Sequence, residues 1–183
     1  GIGGYNIAAD SKTFDILSGG IYSDIQEVIV RELCANAYDS HVIAGKKDVP
    51  FKVTIPSKDF PFFVVEDEGI GLSEVELAGE TKILTDQDGN EYEHFTPGVA
   101  LGFFNSTKQN NGDDIGEKGL GMKSPLAYAP NFSITTRYDG FEYCYNYFKN
   151  DEGIPDQIKM YEIETNAPNG VKVVVPVNHM DIH

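Results

Sequence analysis

Apolar residues three and four apart run from Ile25 and Ile29 to Ile43, the spacing of one helix face. Ser23 with Gln26 three residues later reads as a capping box, and Gly45 suits the position just past a helix end. A long helix is therefore expected from about Asp24 to Ala44. Before it, a short extended piece at Tyr5 to Ala8, a short helix at Lys12 to Leu17 and a Gly19-Gly20 break are expected. The runs Phe51 to Ile55 and Phe62 to Val65, separated by a turn from Pro56 to Pro61, read as neighbouring strands. Ser73 with Glu76 is a second capping box, opening a short helix to Ala78. Between Gly79 and Glu117 the periodicity fades, which in a compact domain signals a functional lid or disorder. Met122 to Ala129 fits a helix with Pro125 in its first turn. The last third reads as a meander: Phe132 to Tyr138, a turn at Asp139-Gly140, Phe141 to Phe148, Gln157 to Glu164, a turn at Asn169-Gly170, and Val171 to Val177. The pattern predicts an α+β two-layer sandwich with helices on one face of the sheet.

Three segments break the structural pattern in ways that suggest chemistry. On the long helix, positions 25, 29, 32, 36, 39 and 43 form one stripe, expected to face the core, yet its middle is Glu32, Asn36 and Asp39. Burying such groups costs free energy unless each has a partner or lines a cavity. The alternative is that the opposite face, with Val28, Leu33, Ala35 and Val42, is the buried one. Next, Asp67-Glu68-Gly69-Ile70-Gly71-Leu72 links a strand to a helix. Its glycines permit close backbone approach to a flat ligand, and its first carboxylate can accept a hydrogen bond from an amine. Third, Gly116-Glu117-Lys118-Gly119-Leu120-Gly121-Met122-Lys123-Ser124 offers free amides and two lysines to phosphate. It is neither a Walker A loop, since Met122 separates the last glycine from Lys123, nor a dinucleotide fingerprint.

Charge narrows the ligand class. The 183 residues are 40% apolar and 23% charged, enough for one folded domain over 1–183. Fourteen Lys and Arg against 29 Asp and Glu leave a net charge of −15, which disfavours direct nucleic-acid binding. An anionic ligand then needs a local amide-lined or positive pocket, with a metal ion to offset the repulsion. Apolar stretches fall far short of the roughly 20 residues of a membrane helix, so no transmembrane segment is expected. Cys34 and Cys144 lack metal-type spacing and read as buried free thiols in a reducing, cytoplasmic setting. A first residue of Gly rather than Met reads as a fragment of a longer protein.

In order, Glu-x-x-x-Asn-x-x-Asp on a helix, Asp-x-Gly-x-Gly, and Gly-x-x-Gly-x-Gly-x-x-Ser resemble the N box and two glycine boxes of the GHKL ATPases, which include gyrase B subunits, ninety-kilodalton chaperones, histidine kinases and MutL proteins. The likeness spans about Tyr22 to Val177. Within it, Val30-Arg31-Glu32-Leu33, Phe103 to Lys108, Lys123 to Tyr128, Phe132 to Thr135 and Val173 to Val177 look like the N-terminal part of phage rIIA-like rapid-lysis proteins.

The resemblance implies a GHKL (Bergerat) sandwich with a mixed, mostly antiparallel sheet, a lid over about 79–121, and ATP and magnesium as cofactors. It casts Asn36 as the magnesium ligand, Glu32 as the base that activates water, and Asp39 as support for the nucleotide. Asp67 would accept the adenine amine, with Gly69, Gly71 and Leu72 at the base pocket. Gly116, Gly119, Leu120, Gly121 and Ser124 would close over the phosphates, with Lys118 and Lys123 adding charge. Ser106 and Lys108 resemble a lid Ser-Lys element of the MutL branch. Val171 stands after Gly170 where many members have Thr, which removes one adenine contact, and a catalytic lysine from a second domain is missing. The implied function is slow ATP hydrolysis driving a switch, through an ATP-dependent homodimer or an unidentified protein partner, in lysis timing or host exclusion in the host cytoplasm. The competing functions are histidine-kinase-like phosphotransfer and a non-enzymatic module with a relict ATP site.

Overall fold

The computed structural model describes residues 25–102 and 124–183. Helix α1 spans Ile25–Ile43 and is followed by strands β1 (Lys52–Thr54) and β2 (Phe62–Glu66). Helix α2 (Glu74–Ala78) leads into β3 (Glu80–Thr85), β4 (Glu91–Thr96) and one helical turn, α3 (Val99–Gly102). A 3-10 turn at Ser124–Ala127 precedes β5 (Asn131–Tyr138), β6 (Phe141–Lys149), β7 (Pro155–Glu164) and β8 (Gly170–Pro176), and a second 3-10 turn covers His179–Asp181.

Local signals explain most boundaries. At the end of α1, Gly45 takes φ +73° while Lys46 N–H donates to His41 O at 2.8 Å and Gly45 N–H to Val42 O at 3.1 Å, the paired bonds of a Schellman cap. At the start of α2, Ser73 Oγ accepts from Glu76 N–H and Glu76 Oε1 accepts from Ser73 N–H, so both bonds of the expected capping box form. Ser23 lies outside the described residues. The Asp139-Gly140 turn has φ of +50° and +84°, the left-handed pair that matches strand twist in a tight hairpin.

Among the described residues the main sheet has six strands in the order β1-β2-β8-β5-β6-β7, and every pairing is antiparallel. The fold is thus α+β with antiparallel sheets. The expected meander holds for β5, β6 and β7, but β8 does not pair with β7. It returns to lie between β5 and β2, giving the Greek-key order 8-5-6-7. Apolar alternation fixes which face each strand turns inward but not its neighbour, so this crossover was not legible locally.

The stretch from Gly79 onward corrects the expectation of weak structure. β3 and β4 form a separate hairpin with Glu80 opposite Thr96 and Thr85 opposite Glu91. Its turn is held by Asp86 Oδ1, which accepts from Asp88 and Asn90 N–H at 2.9 Å each. Both faces of the hairpin are exposed, with Ile83 and Phe95 on one and Leu84 and Tyr92 on the other, so no burial imposes alternation on the sequence. The rest of the expected lid, and the start of the helix expected from Met122, lie outside the described residues; only the 3-10 turn to Ala127 and the bonds of Tyr128 and Ala129 N–H to Pro125 O represent it.

The core lies between the sheet and α1 and α2. Ile29, Leu33 and Ala37 of α1 and Leu77 and Ala78 of α2 pack with Phe63, Val65, Val171, Val173, Val175, Phe132, Ile134 and Tyr147. Phe132 and Tyr147 stack at 5.2 Å across β5 and β6. Each such buried side chain contributes about 1.5–3 kcal/mol. The stripe through residues 32, 36, 39 and 43 does not face this core: Glu32 and Asn36 are partly buried, and Asp39 and Ile43 are exposed. Nor is the opposite face buried as a whole, since Ala35 and Val42 are exposed. The buried row is Ile29, Leu33, Ala37 and His41, strictly four apart, with Val28 beside it. Cys34 and Cys144 are free and only partly buried, not fully as expected. No described helix is long and apolar enough to cross a membrane.

Candidate functional site

Where β2 ends, Asp67 extends the ladder by one residue: its N–H donates to Val171 O at 2.9 Å, and Val171 N–H donates to Asp67 Oδ1 at 3.2 Å. Gly69 N–H also donates to Oδ1, at 2.9 Å. The side chain is only 5% exposed, and both bonds use one oxygen, so among the described residues Oδ2 keeps acceptor capacity. Burial pushes the Asp67 carboxyl above its ordinary range, against the two amide bonds and the nearby Arg137 charge, which pull it down.

The loop from Asp67 to Leu72 is tied to α1 on one side and to the sheet on the other. Ser40 Oγ accepts from Ile70 N–H at 2.9 Å. His41, 1% exposed, accepts from Glu68 N–H through Nε2 at 2.9 Å and contacts Val49 O through Nδ1 at 2.9 Å. A backbone N–H can only donate, so Nε2 is the acceptor of the Glu68 bond. From the sheet, Thr136 Oγ1 donates to Leu72 O at 2.7 Å and accepts from Leu72 N–H at 2.8 Å. Arg137 donates through Nη2 to Asp67 O, through Nε to Pro168 O and through Nη1 to Glu66 Oε1, at 3.1, 3.1 and 3.3 Å.

Two glycines allow this close approach. A Cβ on Gly69 would overlap the Ser40 side chain and stand 2.7 Å from the Ser40 carbonyl carbon. Gly71 has φ +69°, and a Cβ there would overlap Arg137 O.

Loop, helix and sheet surround a cleft that opens to solvent. Its walls are mainly apolar, from Leu33, Val65, Leu72, Val171 and Val173, with Asn36, Asp39, Ser40 and Asp67 as the polar side chains. Asn36 Nδ2 is buried without a hydrogen-bond partner among the described residues, a cost of about 1–3 kcal/mol that a ligand acceptor would remove.

Of the residues picked from sequence, Asn36, Asp39, Asp67, Gly71 and Leu72 meet in this cleft, and Gly69 sits behind it against Ser40. Glu32, one helical turn before Asn36, is partly buried and is not part of the lining. Ser106, Lys108, Gly116, Lys118, Gly119, Leu120, Gly121 and Lys123 lie outside the described residues, as does the side chain of Ser124. Ser40, His41, Thr136 and Arg137 escaped the sequence reading. His41 alone carried a signal, standing four residues after Ala37 and eight after Leu33 on the apolar row.

Comparison of the chain with profiles of known families and with curated proteins returns no match.

Proposed function

We propose that this chain is an ATP-binding domain of the GHKL type that binds ATP with magnesium and couples slow hydrolysis to a conformational or dimerisation switch. The observation that carries the reading is the buried Asp67 carboxylate, with one oxygen spare, on the wall of an apolar cleft that also holds the unpartnered Asn36 Nδ2. In this reading a flat amine-bearing base would lie against Leu72, Val171 and Val173 and donate its amine hydrogen to Asp67 Oδ2. Val171 offers no hydroxyl, so Asp67 is the chief polar contact to the base. The antiparallel sheet layered against α1 and α2 is compatible with the GHKL sandwich.

No cluster of three or more His, Cys, Asp or Glu able to hold a metal occurs among the described residues. Magnesium binds through one or two protein oxygens together with phosphates and waters. Asn36 Oδ1 would hold it, with Glu32 and Asp39 one turn to either side. When bound, the ion neutralises phosphate charge that the −15 chain would otherwise repel. Glu32 is the carboxylate available to orient and deprotonate water near the terminal phosphate. The role in phage lysis timing or host exclusion belongs to the same proposal and rests on the rIIA-like segments of the sequence.

One observation favours a second reading, binding without turnover: Glu32 is not in the lining of the cleft. Labelled-phosphate release separates them. The ATPase reading expects Glu32→Ala to bind Mg-ATP as the parent does while release falls by about 10²–10⁴-fold. A parent chain that binds but releases no phosphate supports the second reading. Transfer of label from Glu32→Ala to a partner histidine would instead favour a kinase.

A further inference from the structure

A second cavity lies toward the other end of α1, against its first two turns, and opens to solvent. Its floor is Ile29, Phe63 and Val175, all buried. Its rim includes Val30, Val53 and Ile55, which are 43%, 38% and 72% exposed although they are aliphatic. Three polar side chains line it, Gln26, Tyr128 and Asp181, and only Asp181 is charged.

Asp181 is held in place before any ligand arrives. Asn178 N–H donates to Tyr128 Oη at 3.0 Å, which directs the phenol hydrogen to Asp181 Oδ2 at 2.6 Å. Asn178 Oδ1 also accepts from Met180 N–H at 3.0 Å, capping the 3-10 turn that carries Asp181. The relay engages Oδ2, and among the described residues Oδ1 keeps acceptor capacity at the edge of the cavity. Among the described residues no Lys or Arg lines the cavity. Asp181 is itself exposed, so solvent screens a charged hydrogen bond there, but a preoriented acceptor lowers the ordering cost of binding. The net charge of −15 attracts cations and repels anions on approach.

We propose that this cavity binds a small amphipathic amine, with the aliphatic or aromatic body on Ile29, Phe63 and Val175 and the ammonium on Asp181. The inference does not depend on nucleotide binding, because the two cavities share no lining residue among those described.

The test is methyl NMR of the full chain titrated with hexylammonium, hexanol and hexanoate at pH 7. Hexylammonium is expected to shift the Val53, Ile55, Val175 and Val177 methyls saturably, and at least about tenfold more tightly than hexanoate. Asp181→Asn should reduce hexylammonium to the level of hexanol. Tyr128→Phe, which keeps the carboxylate but loses the relay, should reduce the preference partway, and serves if Asp181→Asn does not fold. Absence of saturable shifts at millimolar ligand overturns the proposal. So does equal binding of hexanoate, or contacts showing that another part of the chain fills the cavity.

Discussion

Asp67 meets two opposed demands. The proposed amine contact needs an ionised carboxylate, whereas burial favours the neutral acid and raises its pKa despite two amide donors. The folded chain therefore holds this proton more tightly than the unfolded chain does. The carboxyl costs no stability below the ordinary Asp value of about 3.9, an increasing amount as pH climbs through the raised native value, and a constant amount above it. Asp67→Asn, which keeps an acceptor for Gly69 and Val171, is expected to gain stability relative to the parent as pH rises across that window. Paired thermal melts from pH 4 to 7 check this. The same variant should lose adenine-nucleotide binding, and in the parent binding should weaken on acidification at a pH above the ordinary carboxylate range. His41 shows what residue-level reading misses: its place on the apolar row was visible in sequence, but its bonds to Glu68 and Val49 depend on chain that folds back from elsewhere.

At the scale of elements, the cleft exists because the loop after β2 lies directly on α1. Gly69 controls that distance. Gly69→Ala would force a methyl into Ser40, including its backbone, at a cost of about 1–3 kcal/mol, and would push the loop that carries Asp67 away from α1 and Asn36. Denaturant melts are expected to show that loss together with weakened Mg-ATP binding. Gly45→Ala is the contrast: a Cβ there meets nothing within 4 Å, so only the φ of +73° is penalised, by about 1–2 kcal/mol, and binding per folded molecule should be unchanged. Elements with local punctuation were legible in sequence, as the Ser73 box, the Gly45 cap and the Asp139-Gly140 turn show. The β3–β4 hairpin was not, because neither face is buried to write a period. The tilt of α1 about its axis was misread because Glu32, Asn36 and Asp39 border the buried row of Ile29, Leu33, Ala37 and His41 without belonging to it.

For the whole molecule, the Greek-key return of β8 is the step that assembles the cleft. It brings Val171 N–H to Asp67, Val171 and Val173 to the wall, and β8 beside the β5 strand that carries Thr136 and Arg137. That long-range pairing has no local signature, yet the order of the sequence boxes still singled out five of the residues that meet there. A chain of charge −15 that binds a triphosphate must do so through local contacts and a cation, so the central claim is a thermodynamic linkage between Mg-ATP and the folded state. The melting temperature of the full chain with and without Mg-ATP tests it most directly. With ligand at 100 times its dissociation constant, stabilisation is about 2.7 kcal/mol, or about 5–11 °C for a domain of this size, and Asp67→Asn should show none of it. A parent chain that melts cooperatively at the same temperature with or without millimolar Mg-ATP would contradict the account.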